Sequence, residues 1–142
     1  MSYTAGSSIN NYVLTYVDAN DQWEAKEATG GGGSQLPPEV KETTTSTPVT
    51  VSLTPSDSNS YNDLEVVYLV NNSSTAVELD LPTASGNEGK KIHIKRNGTA
   101  TVTIDPNGTE QIDNGGAGSA ITLDVQFEAV SLISNGANWF II

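Results

Sequence analysis

Beyond residue 46 the chain alternates apolar and polar positions almost throughout. Val49, Val51 and Leu53 alternate with threonine and serine, and Val77, Leu79 and Leu81 with Glu78 and Asp80. Ile92 and Ile94 alternate with Lys91, His93 and Lys95, Val102 and Ile104 with threonine, and Leu123, Val125 and Phe127 with Asp124, Gln126 and Glu128. A period of two sets one group of side chains inward and leaves the other in water, so each stretch predicts a strand. Leu64 to Val70 is a nearly continuous apolar run, and Trp139 to Ile142 closes the chain with another strand. No segment sustains the 3.6-residue period of a helix; only Asp21 to Ala28 offers a helical turn or two.

The turn chemistry agrees. Asn-Gly occurs at 97–98, 107–108, 114–115 and 135–136, and it favours hairpins because both residues accept positive φ. In Asp105-Pro106-Asn107-Gly108 the proline presets the second turn position. These signals predict an all-β domain, a small antiparallel β-sandwich or barrel of roughly eight strands.

The first 46 residues read differently, holding six of the chain's 32 Leu, Ile, Val and Phe residues. Val13 to Trp23 and Val130 to Trp139 share one plan: a β run, a turn of small polar residues, and a tryptophan opening the return strand. Residues 1–28 are therefore expected to form a hairpin arm, and an isolated hairpin needs a partner surface to be stable in water. Gly30 to Ser34 is a flexible coil, the same unit that engineered linkers use, and Leu36-Pro37-Pro38 is stiff and extended. With the Thr43 to Thr47 tract they predict a tether over 29–46, leaving 47–142 as the folded domain.

Composition then removes whole classes of chemistry. Cysteine is absent, which excludes disulfide staples, thiolate zinc sites and a cysteine nucleophile. The net charge of −11 disfavours nucleic acid and anionic membranes as partners. No apolar run approaches the roughly 18 residues of a membrane span, and no leader-like segment opens the chain. A soluble protein is expected.

Catalytic signals are equally thin. With one histidine, a zinc or iron site is not expected. Asp57 to Asp63 starts like a calcium loop but lacks the central glycine and has Tyr68 where the bidentate glutamate belongs; it reads as a polar turn. A serine or threonine nucleophile would depend on His93 for its base, and no G-x-S-x-G elbow is present. His93 reads better as a cross-strand partner of Glu78 or Asp80. Ser85 to Lys91 ends like a phosphate loop, but the first glycine is Ala84 and no helix is expected after it. Nothing in the spacing of the acids singles out a glycosidase pair. The expectation is a protein that is not an enzyme and has no cofactor or metal.

Two features carry more than composition. Lys90, Lys91, Lys95 and Arg96 hold all the positive charge of residues 47–142, beside His93. The stripe either pairs across strands with Glu78, Asp80, Asp124 and Glu128, or forms a subunit interface through Lys91, His93 and Lys95. Trp139 and Phe140 fit a core. Tyr12, Tyr16 and Trp23 lie on a segment too small for one and fit anchoring to another surface.

Leu81-Pro82-Thr83-Ala84-Ser85-Gly86-Asn87-Glu88-Gly89-Lys90-Lys91-Ile92-His93-Ile94-Lys95 resembles an L-P-x-A-x-x-N-x-G-K stretch, followed by alternating aliphatics, found in many tailed-bacteriophage virion proteins. The resemblance continues through Thr101 to Gly115 and ends at Val130 to Ile142, similar to a V-x-L-x-S-N-G-x-x-W-x-I terminus. It covers residues 76–142, nearly half the chain. Val13-Leu14-Thr15 with Trp23, ahead of a glycine run, also resembles modules of phage fibre and capsid-attached proteins.

The resemblance implies a trimeric β-rich knob without cofactor or catalysis. The resembling modules occur in both heads and tails; with the arm and tether, the expectation is a capsid decoration (cement or head-fibre) protein on the outer surface of the virion, whose arm grips the major capsid protein through Tyr12, Tyr16 and Trp23. At 142 residues no shaft is expected, which departs from a tail fibre. A tail-fibre tip gripping host surface glycans is the alternative, and a small glycosidase or lyase fragment a third reading.

Overall fold

The structure is a computed structural model that describes residues 12–17, 22–27, 36–58 and 60–142. It divides into two units, Met1–Ser34 and Gln35–Ile142. In the first, β1 (Tyr12–Val17) and β2 (Gln22–Glu27) pair antiparallel as the expected hairpin, with Tyr16 opposite Trp23. The stretch that offered a helical turn is thus the strand β2. Six-residue alternation and aromatic content suit a ladder better than two turns of isolated helix, which nucleate poorly.

The second unit contains β3 (Glu39–Thr43), β4 (Val49–Thr50), β5 (Glu65–Val70), β6 (Val77–Asp80), β7 (Lys91–Arg96), β8 (Val102–Asp105), β9 (Ile121–Leu123), β10 (Ala129–Ser134) and β11 (Trp139–Ile141). They form a five-stranded sheet in the order β11-β10-β7-β5-β3 and a four-stranded sheet in the order β4-β6-β8-β9. The chain passes from one sheet to the other and back three times. Consequently β3, β5 and β7 run parallel to one another, and so do β4, β6 and β8. Each turn stacks residue for residue on the next: Glu39 beside Val66 and Val66 beside Ile92, Val49 beside Leu79 and Leu79 beside Ile104. Antiparallel β9, β10 and β11 finish the two sheets.

The all-β class therefore holds, but the expected purely antiparallel pairing and the barrel alternative are corrected to two mixed sheets that do not close. The reason lies in the connections. A parallel pair needs a long crossover, and here the strand in the opposite sheet supplies it. Of the four Asn-Gly pairs, only Asn135-Gly136 joins neighbouring antiparallel strands, β10 and β11. Asn97-Gly98 carries the chain from β7 to β8 in the other sheet.

Two boundaries also move. Residues 39–43, expected in the tether, are the edge strand of the five-stranded sheet; β3 gains a full parallel ladder with β5. The alternation over Leu123 to Phe127 does not continue as a strand: β9 ends at Leu123, and Val125 and Phe127 sit exposed in a turn. Glu128 forces that turn, its carboxylate accepting the backbone N–H groups of Asp124 (3.0 Å) and Val125 (3.1 Å).

The inner positions of both sheets meet in one core around Tyr68, Leu79, Ile92, Ile104, Leu132 and Trp139. Each large aliphatic buried there contributes about 1.5–3 kcal/mol. Trp139 is fully buried as expected, its Nε1 donating to the Pro82 carbonyl (3.2 Å), whereas Phe140 faces the other way and is half-buried. At the β3 end the core stops on polar groups. Lys41 donates to the carbonyls of Ser52 (3.3 Å) and Thr54 (3.1 Å), and Glu39 sits 3.4 Å from its Nζ. Charges on the inner side of an edge strand discourage a further strand from adding there.

Candidate functional site

The alternation of β7 leaves Ile92, Ile94 and Arg96 inside and Lys91, His93 and Lys95 on the outer face of the five-stranded sheet. The stripe is thus assembled as the sequence predicts, in the middle strand of its sheet. Its partners are not the predicted ones. Glu78 and Asp80 belong to β6 in the four-stranded sheet, so neither lies across from β7. Lys91 pairs with Glu65 of β5 (3.0 Å), a half-exposed surface pair contributing under about 1 kcal/mol. Lys95 donates to the Phe127 carbonyl, and its ammonium lies 5.8 Å from the centre of the Phe127 ring. Arg96 is buried, donating through Nε to the Ala100 carbonyl (2.7 Å) and through Nη2 to the Thr99 carbonyl.

His93 lies between Val67 of β5 and Ser131 of β10, and its Nδ1 shares a hydrogen bond of 2.8 Å with Ser131 Oγ. A hydroxyl beside an imidazole supplies the nucleophile and base of a catalytic triad. The third member is an acid orienting the ring, and among the described residues no carboxylate bonds to His93. This juxtaposition was not legible in the sequence, because 38 residues separate the two side chains.

The outer face of the four-stranded sheet is acidic. Parallel stacking puts Asp80 beside Asp105, and with Glu78 their carboxylate oxygens lie within 4.8 Å of one another. Among the described residues no basic side chain pairs with them. Three acids so placed can attract a cation, but nothing else in their surroundings points to one. The calcium-like stretch is a turn: the N–H groups of Ser60 and Tyr61 donate to the Asp57 carbonyl.

The anchoring residues lie in the other unit. Tyr12 and Tyr16 are in β1, and Trp23, opposite Tyr16, is in β2. Their side chains lie outside the described residues, so the hairpin shows only that Tyr16 and Trp23 share a register position.

The turn after β9 carries a feature the sequence did not signal. Phe127 has φ +69°, a left-handed conformation that is an outlier for a bulky residue. The N–H of Phe127 donates to the Arg96 carbonyl while the Arg96 N–H donates to the Glu128 carbonyl, so two residues face one. This is a β-bulge with phenylalanine where glycine usually stands. Phe127 is 58% exposed and Val125 64%.

No protein-family model matches the chain, and neither does any curated protein.

Proposed function

We propose that this protein is a structural component of a tailed-bacteriophage virion, a capsid decoration protein attached by its N-terminal hairpin with its C-terminal unit held outside as a trimer. The reading is carried by the resemblance of residues 76–142 to phage virion modules. Two further observations support it. The hairpin of β1 and β2 belongs to a unit separate from the other strands, as an arm that grips a different surface requires. The C-terminal unit presents a sheet face with an orderly basic stripe, Lys91, His93 and Lys95, as a subunit interface requires.

In this reading Tyr12, Tyr16 and Trp23 seat the arm on the major capsid protein. Three arms on one trimer act together, so each needs only modest affinity, because the second and third bind at high effective concentration. The mechanical effect is to hold neighbouring capsid subunits together. A tail-fibre tip that binds host surface glycans is the alternative, and the exposed Phe127 beside Lys95 is what favours it, since aromatic faces stack on sugars.

Immunogold labelling of intact virions with antibody to residues 47–142 separates the two. Gold distributed over the head is the expected result. Gold confined to the tail tip removes the decoration reading in favour of the glycan one, and unlabelled virions remove both.

A further inference from the structure

We infer that the outer face of the five-stranded sheet is covered in the working protein by further copies of the same chain. The inference rests on the oligomeric part of the reading above and not on attachment to a capsid.

The pattern of β5 is the first reason. Parallel strands that read as continuous apolar runs belong to sheets buried on both faces, and Glu65–Val70 is such a run. Its inner residues Val66, Tyr68 and Val70 fill the core, whereas Val67 and Leu69 face outward and are only half-buried. Register places Val40 of β3 beside Val67, and Ile133 of β10 opposite Phe140 of β11 on the same side. Ile142 extends that edge, its N–H on the Ser131 carbonyl, and it is 62% exposed. The opposite sheet shows nothing comparable: its outer positions are Thr50, Glu78, Asp80, Thr103, Asp105 and Thr122.

Charge identifies the occupant. Residues 35–142 carry 13 Asp and Glu against five Lys and Arg. On the face formed by β3, β5, β7, β10 and β11, however, Lys91 and Lys95 balance Glu65 and Glu42. Two acidic copies repel one another overall, and along this face the local charges cancel. A basic partner would instead be drawn to the acidic remainder, including Glu78, Asp80 and Asp105. Apolar area with balanced charge suits a second copy.

The layout also fits a threefold. A cyclic head-to-tail contact needs two different patches inclined towards one axis. Here the β7 stripe separates an apolar half on β10 and β11 from another on β5 and β3. One copy's Ile133–Phe140 half meets its neighbour's Val40–Val67 half, and Phe127 is held at the rim by its strained backbone. Backbone strain of this kind collects at functional positions.

Sedimentation velocity on the full chain at micromolar concentration tests this. Wild type is expected to be a trimer. Phe127→Gly relieves the positive φ, so it should fold at least as well as wild type while weakening association by about tenfold or more. Val40→Glu with Ile142→Glu should give a monomer of unchanged circular dichroism, and Thr122→Glu on the opposite sheet should leave the trimer intact. A wild-type monomer, or a trimer indifferent to both face variants, overturns the inference. A dimer broken by those variants keeps the face and removes the threefold of the preceding reading. A face-dependent trimer whose antibody leaves virions unlabelled keeps the inference and removes the virion role.

Discussion

Glu39 shows how much a single position can depend on context. As a glutamate in a Pro- and Thr-rich stretch it reads as solvated, yet its carboxylate holds the Ser56 backbone N–H at 2.9 Å and lies 3.4 Å from Lys41 Nζ. Hydrogen bonding by Ser56, hydroxyl first and N–H second, holds the carboxyl below its ordinary value, with attraction to Lys41 adding to it. A carboxyl depressed in the folded state stabilises the fold above its ordinary value, and that stabilisation fades as pH falls through the folded-state value. The wild-type urea midpoint should therefore fall more steeply below about pH 4.5 than that of Glu39→Gln; parallel curves would show that the carboxylate does not matter. The outward placement of His93 was legible from alternation alone. Its partner Ser131 was not, because register between distant strands is set by tertiary packing.

At the scale of elements, the decisive contacts are between successive turns of the chain. Gly98 follows β7 where the backbone crosses to β8, and a Cβ there would lie 1.9 Å from the Asn72 carbonyl oxygen. The preceding connection is thus in direct contact with this one, and only glycine permits it. Gly86, by contrast, has nothing within 4 Å of where a Cβ would sit and only its φ of +78° to restrict it. Gly98→Ala should cost about 3 kcal/mol or more by forcing backbone apart, and Gly86→Ala about 1 kcal/mol from strain alone. Urea denaturation of the two variants measures this directly, and equal costs would mean the close approach is not a constraint. Asn-Gly at 97–98 reads as a hairpin signal, yet here it only bends the chain between the sheets. Its destination was not legible, because a turn signal states that the chain bends and not which sheet it enters.

For the molecule as a whole, the boundary at Ser34 makes a simple claim. If residues 35–142 have their own core, removing residues 1–34 should leave the melting temperature of the remainder unchanged. In the proposed role the shortened chain should also lose capsid binding, as should full-length Trp23→Ala. A large fall in melting temperature on truncation would show that the hairpin supports the fold, and a truncated chain that still decorates capsids would move attachment to the C-terminal unit.

The sequence by itself determined that the protein is built of strands, which positions of most strands face inward, that Trp139 is core, and that residues 1–28 contain a hairpin. Those properties follow from short-range alternation and turn chemistry, which act between neighbours in the chain. Only the tertiary structure decided that the sheets stack parallel turns, that residues 39–43 join them, and that Lys91, His93 and Lys95 meet Glu65, Ser131 and Phe127. Parallel pairing joins residues across a full passage through the opposite sheet. The turns differ too much in residue type for a repeat to be visible, so hydrogen-bond register and the packing of a shared core make the choice.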